Sequence, residues 1–298
     1  MRCERANAKI NLYLDVVSRR ENGYHNLVSL MQTVSLCDLV TLDFHPGSHT
    51  SIRLEASGNA DMPTDCRNLA WRAAERFLEA SGRRGEVFIS IEKHIPMAAG
   101  LAGGSADAAA VLRGLNALCG SPLSVGELCA IGERLGADVP FCTVGGCALV
   151  TGIGECLEEM PSMPALPMVV ACMGEGVSTP AAYGKLDALH GFFETPTPED
   201  PRVDRLCAAL RQGSISEALE DFYNRFEEVV PLEQPCVDPI KRTMCGCGAK
   251  KAMMSGSGPS VFGVFSTQED AIRAVDALVS MGATAFVCTP RPKFVRTS

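Results

Sequence analysis

Hydrophobic and polar positions alternate through the first part of the chain and predict two long extended segments. Ile10, Leu12 and Leu14 fall on one face of a predicted strand over Lys9–Val17, because side chains in a strand point alternately to opposite faces. A second extended segment is predicted over Val34–Phe44. Between them, residues Arg19–His25 are polar and contain glycine, which predicts a turn.

Helical spacing and helix-start signals predict the helices. An apolar stripe at helical spacing predicts a helix over Cys66–Ala80. Ser-x-x-Glu capping boxes begin at Ser124 and at Ser214, and the first of these helices should end at Gly136. Thr179, followed by proline, combines a capping hydroxyl with a residue suited to the first turn.

The second half of the chain also predicts mixed strands and helices. Strands over Lys250–Met254 and Ser260–Phe265 flank a small-residue loop, Ser255–Gly258. A helix over Gln268–Met281 and a strand over Ala283–Cys288 follow. This order predicts an α+β fold with strands and helices packed as a sandwich.

A small-residue loop at Pro96–Ser105 is the most informative local feature of the sequence. It follows a predicted strand over Val87–Ile91 and leads into an alanine-rich helix over Ser105–Leu118. Backbone N–H groups at a helix start have no partner within the helix, and the helix dipole is positive there. Such a loop binds anions, most often phosphate, so we expect a nucleotide at this position.

Two other kinds of glycine-rich loop do not fit this segment. The chain contains no Gly-Lys-Ser or Gly-Lys-Thr, which excludes a Walker A loop. Gly100 is followed by Leu101 and Ala102, which does not fit the dinucleotide fingerprint. A tight turn that only lets the helix pack closely on the sheet remains an alternative.

Length and composition restrict the class of protein. The 298 residues favour about two domains, and prolines just after Met160 favour a division into residues 1–158 and 159–298. The net charge of −8 without a basic run argues against nucleic acid as a partner. No apolar stretch is long enough to span a membrane, and no secretion signal is seen. The fourteen cysteines contain no Cys-x-x-Cys pair, which favours reduced thiols in the cytoplasm over a zinc site.

Three separated segments resemble the three motifs of the GHMP kinases, in the same order along the chain. They are Ala8–Leu12, Pro96–Ser105 and Met254–Gly258. Three further segments resemble the branch of the family that acts on a cytidine diphosphate polyol: Gly23–His25, Leu135–Phe141 and Gly145–Gly152. The resemblance extends from about residue 6 to residue 288.

The resemblance implies a two-lobed α+β fold with mixed or antiparallel sheets and a site between the lobes. It also implies transfer of the γ-phosphoryl group of ATP, with Mg²⁺, to the 2-hydroxyl of a cytidine diphosphate methylerythritol. This step belongs to the non-mevalonate isoprenoid pathway. The implied partners are these small molecules, without nucleic acid or membrane, and the implied assembly is a monomer or weak homodimer.

The matched positions imply roles for individual residues. Asp138 is the candidate general base, and Lys9 is the cation that keeps Asp138 ionised and attracts the transferred group. The expected nucleotide-binding residues are Pro96, Met97, Ala98, Ala99, Gly100, Leu101, Ala102, Gly103, Gly104, Ser105 and Asp107. The expected acceptor-binding residues are Asn11, Tyr24, His25, Thr179 and Tyr183, with cytosine stacked between Tyr24 and Tyr183 and hydrogen-bonded by His25.

Two departures from the family pattern lead to further expectations. Alanine replaces glycine or serine at Ala98, Ala99 and Ala102, so the loop should use fewer left-handed backbone positions. Asp107 stands where relatives often have asparagine, and a carboxylate would repel phosphate unless it contacts magnesium or turns away. Asp107 is therefore a candidate magnesium contact.

The sequence is compatible with two alternative functions. Another GHMP kinase, of the homoserine or mevalonate type, would not need aromatic residues suited to a pyrimidine, such as Tyr24 and Tyr183. A non-catalytic nucleotide sensor would not need the Lys9 and Asp138 pair. The loop Ser255–Gly258 is expected to close against the first glycine loop, although its composition also fits a simple hairpin turn.

Overall fold

Two β-sheets organise the fold of the chain. The computed structural model describes residues 1–59, 61–191 and 200–294. In these residues the first sheet has seven strands: β1 (Arg2–Arg19), β2 (His25–Pro46), β3 (Ser51–Ser57), β4 (Gly85–Glu92), β5 (Cys147–Gly152), β6 (Cys156–Met160) and β8 (Tyr223–Asn224). The second sheet has four antiparallel strands in the order β11-β7-β10-β9: β7 (Met168–Cys172), β9 (Lys251–Met254), β10 (Val261–Val264) and β11 (Thr284–Cys288).

Nine α-helices in the described residues pack around these sheets. They are α1 (Leu69–Ser81), α2 (Gly103–Leu118), α3 (Val125–Glu133), α4 (Val139–Val144), α5 (Thr179–His190), α6 (Pro201–Gln212), α7 (Ile215–Glu220), α8 (Val237–Gly246) and α9 (Gln268–Ser280). None of the helices in the described ranges is both long and apolar enough to cross a bilayer.

Long first strands connect the parts of the first sheet. β2 pairs with β1 along most of its length, while its Leu27–Gln32 part pairs with β5 and its Leu39–Pro46 part with β4. β8, from the second half of the chain, pairs in parallel with β1, with Tyr13 opposite Tyr223. The division expected after residue 158 falls within β6, so the first sheet includes residues from both predicted halves.

Helix α2 lies at the centre of the first half. Ala106, Ala108, Ala109, Leu112 and Leu115 are fully buried, and the helix contacts β1, β2, α1 and α4. Small alanine side chains allow this close approach on several sides, and each buried leucine contributes about 1.5–3 kcal/mol. This packing fixes the N-terminus of α2 and the loop before it.

Local signals predicted most elements, with errors at their ends. α1 begins at Leu69 rather than at residue 66, because the Asn68 side chain accepts a hydrogen bond from the N–H of Ala70. The capping box at Ser124 is confirmed, although its helix ends at Glu133 rather than at Gly136. The prediction of a capping box at Ser214 is wrong, because the Ser214 side chain makes no capping hydrogen bond. Helix α7 nevertheless begins at the next residue.

Candidate active site

A cavity of about 1010 Å³ brings together the residues that the sequence singled out. Its walls come from β1, the turn before β2, the loop before α2, the start of α4, helix α5 and the loop after β9. All three motif segments therefore meet at one place. Of the residues predicted for the site, only Leu101 does not line the cavity, and its side chain is buried.

Lys9 and Asp138 form the charged centre of the cavity. The Lys9 ammonium lies 3.9 Å from Oδ2 of Asp138, and it donates a hydrogen bond of 2.6 Å to Oδ1 of Asn11. Asn11 in turn donates to the hydroxyl of Ser29, at 2.8 Å. This chain of contacts fixes Lys9, which is buried, on the inner face of β1.

Asp138 is positioned by the backbone and keeps its carboxylate available. It occupies the N-cap position of α4, but its side chain makes no capping hydrogen bond. Pro140, in the first turn of the helix, suits this sharp helix start. The Asp138 side chain is 30% exposed, whereas that of Lys9 is only 6% exposed. A carboxylate at this position can therefore meet a hydroxyl that enters the cavity.

The loop before α2 uses left-handed backbone at two alanines, which corrects the sequence-based expectation. Ala98 has φ of 50° and Ala102 has φ of 56°. An L-residue in this region costs roughly 1–2 kcal/mol, so surrounding contacts must hold the loop. The N–H of Val177 donates to the carbonyl of Ala98, at 3.0 Å, and the N–H of Lys9 donates to the carbonyl of Leu101, at 3.2 Å.

The loop Ser255–Gly258 closes against the first glycine loop, as its order in the sequence predicts. The Ser255 hydroxyl donates to the carbonyl of Gly100, at 3.0 Å, and the N–H of Ser260 donates to the carbonyl of Ala99, at 3.3 Å. Gly100 has φ of 77°, and a Cβ there would lie 2.1 Å from the carbonyl oxygen of Ser255. Only glycine fits this crossing of two backbones.

A buried lysine between two aspartates supports the start of the loop. The Lys93 ammonium lies 2.5 Å from Oδ2 of Asp38 and 2.7 Å from Oδ2 of Asp107. The other oxygen of Asp38 accepts from the N–H groups of His94 and Ile95, at 2.6 and 2.7 Å. This cluster joins β2, the end of β4 and α2, and so fixes both ends of the loop before α2.

The surroundings of Asp107, Lys93 and Tyr183 shift the pKa values of these groups. Burial raises the pKa of the Asp107 carboxyl, although the Lys93 charge opposes this effect. Burial alone would lower the pKa of Lys93, but Asp107 and Asp38 raise it above its ordinary value. Burial and then the charge of Asp138 raise the pKa of Tyr183, which keeps that phenol neutral.

The residues present suit a magnesium ion that enters with a nucleotide. Among the described residues there is no group of three or more His, Cys, Asp or Glu able to hold a metal alone. Magnesium usually takes one or two protein oxygens, with substrate phosphates and water completing its shell. Oδ2 of Asp107 is committed to Lys93, whereas Oδ1 has no hydrogen-bond partner in the described part of the chain.

Aromatic and hydroxyl side chains line one part of the cavity, which we call its aromatic end: Tyr24, His25, Thr179 and Tyr183. Tyr24 is 61% exposed, whereas His25 is buried and stacks on Tyr183 with ring centroids 4.6 Å apart. A base between Tyr24 and Tyr183 would therefore need the other face of Tyr183 or a shift of the histidine. The hydroxyl of Thr179 lies 2.9 Å from that of Ser257.

The structure adds residues that sequence reasoning missed. No local sequence pattern indicated a role for Lys93 and Asp38, because their pairing depends on contact between β2 and β4. Asp187, which lines the same cavity, did have a signal: it follows Thr179 and Tyr183 at intervals of four residues on one helix.

Family models match two parts of the chain. The model described as GHMP kinases N terminal domain matches residues 68–146, and the one described as GHMP kinases C terminal matches residues 196–284. A 4-diphosphocytidyl-2-C-methyl-D-erythritol kinase from Moorella thermoacetica is 44% identical over 92% of this chain and 93% of its own. A kinase of the same name from Caldicellulosiruptor saccharolyticus is 42% identical, over 92% and 91% of the two chains.

Solved structures resemble the fold over nearly the whole length. A crystal structure of 4-(cytidine 5'-diphospho)-2C-methyl-D-erythritol kinase has a TM-score of 0.79 and 34% identity, over 97% of this chain and 99% of that one. A homoserine kinase from Cytophaga hutchinsonii has a TM-score of 0.69 at 21% identity, over 96% and 95%. This second likeness concerns the fold alone.

Proposed function

The chain belongs to the GHMP kinase family, with relatives named 4-diphosphocytidyl-2-C-methyl-D-erythritol kinase, and we propose that it phosphorylates the 2-hydroxyl of that diphosphocytidyl polyol. ATP supplies the γ-phosphoryl group, and ADP is the second product. The observation that carries the proposal is the Lys9 and Asp138 pair, which shares one cavity with the helix-start loop. The reaction belongs to the isoprenoid pathway that does not pass through mevalonate.

Asp138 acts as the general base in this proposal. Its carboxylate takes the proton of the acceptor hydroxyl while that oxygen forms a bond to the γ-phosphorus. The bond between the γ-phosphorus and the bridging oxygen to the β-phosphate breaks, and that oxygen leaves with ADP. The Lys9 ammonium, 3.9 Å from Asp138, attracts the oxygens of the transferred group. Positioning and charge stabilisation suffice for this reaction without a covalent enzyme intermediate.

The loop Pro96–Ser105 binds the phosphates of ATP. First-turn N–H groups of α2 have no acceptor within the helix, and they lie where the helix dipole is positive. Ala102 is the N-cap of this helix and has no side-chain hydrogen bond that could compete with a phosphate. Mg²⁺, when bound with ATP, neutralises phosphate charge, and the Ser105 hydroxyl and Oδ1 of Asp107 are the oxygens that would contact it.

The aromatic end of the cavity binds the cytidine diphosphate part of the acceptor. Tyr24 and Tyr183 offer ring faces for the base, His25 offers a ring nitrogen, and Thr179 offers a hydroxyl. Asn11 lies beside Lys9 and would contact the polyol near the reacting hydroxyl. Homoserine and mevalonate contain no base that would use these aromatic residues.

The protein is proposed to act in the cytoplasm as a monomer or weak homodimer. All fourteen cysteines lie within the described residues and are free thiols there. Free thiols in this number support a reducing compartment.

The variant Asp138→Asn tests the catalytic assignment. We expect kcat to fall by about 10²–10⁴-fold, because asparagine cannot accept the proton, while ATP binding measured by calorimetry stays near the wild-type value. Asp204→Asn, an exposed substitution on α6, serves as the matched control and should keep full activity. Near-normal turnover by Asp138→Asn would remove Asp138 as the base. ATP binding by the wild type without turnover on any acceptor would favour the nucleotide sensor.

A further inference from the structure

His25 is held on two sides where β2 begins at the wall of the cavity. Its ring lies nearly parallel to that of Tyr183, at 19° between the planes, and Tyr183 is itself supported edge to face by Phe226. Nε2 of His25 lies 2.6 Å from Oδ1 of Asp187. The ring is therefore fixed both in its plane and in its rotation within that plane.

Asp187 is a buried acidic residue that the proposed phosphoryl transfer does not require. Its side chain is 7% exposed, and its second oxygen lies 3.7 Å from Nε of Arg19. Burying a carboxylate is costly unless partners compensate. A carboxyl group at this position, on the same face of α5 as Thr179 and Tyr183, therefore points to a role within the cavity.

The chemistry of the pair fixes the hydrogen on the histidine ring. In its carboxylate form Asp187 only accepts hydrogen bonds, and this form places the hydrogen of the contact on Nε2 of His25. This leaves the ring with one defined arrangement of donor and acceptor in its neutral form. Asparagine in place of Asp187 could present either its oxygen or its amide N–H to the ring, and the arrangement would no longer be fixed.

A histidine ring of this kind recognises a pyrimidine by the hydrogen-bond donors and acceptors on the edge of the base. Cytosine presents an amino donor on its ring carbon 4, whereas uracil presents an oxygen acceptor at the same place. A histidine with a fixed hydrogen can favour one of these edges, but a histidine whose hydrogen moves between its nitrogens cannot.

We propose that Asp187 is the positioning residue that sets base selectivity, because it fixes the orientation and the hydrogen of His25. This inference rests on the proposed function, since it assumes that a cytosine base occupies this end of the cavity. Asp187 acts through His25 and has no part in the transfer of the phosphoryl group.

The test compares wild type, Asp187→Asn and the exposed substitution Asp276→Asn on α9. KM is measured for the diphosphocytidyl polyol and for ATP, and CDP and UDP are compared as inhibitors of turnover. For Asp187→Asn we expect the acceptor KM to rise about 10- to 100-fold, with the KM for ATP unchanged. The preference for CDP over UDP should be lost, while Asp276→Asn should behave as wild type.

The outcomes separate this proposal from the function on which it rests. If wild type shows no preference for CDP over UDP, the cytidine part of the proposed function and the role of Asp187 are both overturned. If wild type prefers CDP and Asp187→Asn keeps that preference, or if both KM values rise together, only the role of Asp187 is overturned.

A measurement on the wild type keeps the test independent of how well the variant folds. Nitrogen-15 NMR of the histidine rings, assigned through His25→Gln, reports which nitrogen carries hydrogen. We expect hydrogen on Nε2 of His25. A ring with hydrogen only on Nδ1 would overturn the proposal.

Discussion

Buried charged side chains determine how the site works at the scale of single residues. Lys9 is held by Asn11 and faces Asp138, whereas Lys93 is held by Asp38 and Asp107. The two lysines have similar burial but different neighbours. Asp138 lies 3.9 Å from the Lys9 ammonium and leaves it accessible to a ligand, while Asp38 and Asp107, at 2.5 and 2.7 Å, occupy the Lys93 ammonium and fix the backbone.

The pH dependence of stability tests the placement of Asp107. Burial raises the pKa of Asp107 from 3.8 to about 7 in the folded protein. Between these two values the folded protein keeps a proton that the unfolded chain has released, so folding becomes less favourable as pH rises. The free energy of unfolding of wild type should therefore fall, relative to that of Asp107→Asn, by about 1–3 kcal/mol between pH 4 and pH 7.

Urea denaturation of both proteins across this range measures the difference. Lys93 does not titrate in this window, because its pKa is raised above its usual value of 10.5. Asp107→Asn removes a partner of Lys93 and lowers stability at every pH, so the slope with pH is the informative quantity. Parallel pH profiles for the two proteins would contradict the burial of an ionisable group at this position.

At the scale of elements, the crossing of two loops shapes the site. The glycine loop has φ of 77° at Gly100, and the loop after β9 passes directly over it. Packing of α2 holds one end of the glycine loop, and β1 holds its middle through the N–H of Lys9. Two loops without regular structure are thereby fixed by neighbouring strands and helices.

A matched pair of glycine substitutions tests this crossing. Gly100→Ala places a Cβ 2.1 Å from the Ser255 carbonyl oxygen, whereas Gly120→Ala, at a similar φ of 81°, meets nothing within 4 Å. Both variants lose about 1–2 kcal/mol for the left-handed conformation. Only Gly100→Ala should also open the loop contact and raise KM for ATP, measured by steady-state kinetics. Equal effects of the two variants on KM would show that the crossing does not shape the ATP site.

Local sequence signals predicted elements well and tertiary pairs poorly. The capping box at Ser124 and the proline start after Thr179 depend on neighbours within one turn, and both helices begin close to the predicted residues. The capping hydroxyl expected at Thr179 is wrong, because Ser178 is the N-cap of α5 and no side chain makes a capping hydrogen bond there. The expectation of fewer left-handed positions at the alanines was wrong, because contacts from other segments hold the loop in this conformation. The N–H of Val177 binds the carbonyl of Ala98, and β1 binds the carbonyl of Leu101, just before Ala102. No pattern within one segment reveals such contacts.

The same distinction applies to the candidate site. The motifs identified Lys9 and the glycine loop, and the further segment Leu135–Phe141 identified Asp138. The structure brings all of them together in one cavity. The Lys93 cluster could not be predicted, because Asp38 and Lys93 are 55 residues apart and meet only when β2 pairs with β4. Asp187 was predictable from helical spacing, but its contact with His25 was not.

At the scale of the whole molecule, the two halves of the chain complete one site. β8 joins the first sheet beside β1, and Asn224, at its end, donates to the carbonyls of Met254 and Gly256 at 2.8 and 2.9 Å. Asn224 is buried, so these hydrogen bonds are shielded from water. The loop that crosses Gly100 is thus tied to the sheet that carries Lys9.

Asn224→Ala tests this connection. Loss of the side chain leaves two buried carbonyls without their donor, and the free energy of unfolding should fall by about 1–3 kcal/mol per unsatisfied group. We expect kcat to fall as well, because the loop after β9 loses its support beside Lys9. Thermal denaturation and steady-state kinetics measure the two effects. A variant with reduced stability but unchanged kinetics would show that this tie does not affect the active site.

ADP release with Mg²⁺ and ATP, on a panel of acceptors, tests the proposed function most directly. The panel contains 4-diphosphocytidyl-2-C-methyl-D-erythritol, methylerythritol phosphate, homoserine and mevalonate. We expect turnover with the diphosphocytidyl compound alone, and a product phosphorylated on its 2-hydroxyl. Turnover with homoserine or mevalonate instead would contradict the function proposed for this cavity. Absence of ADP release with all four acceptors, while ATP still binds, would contradict it as well.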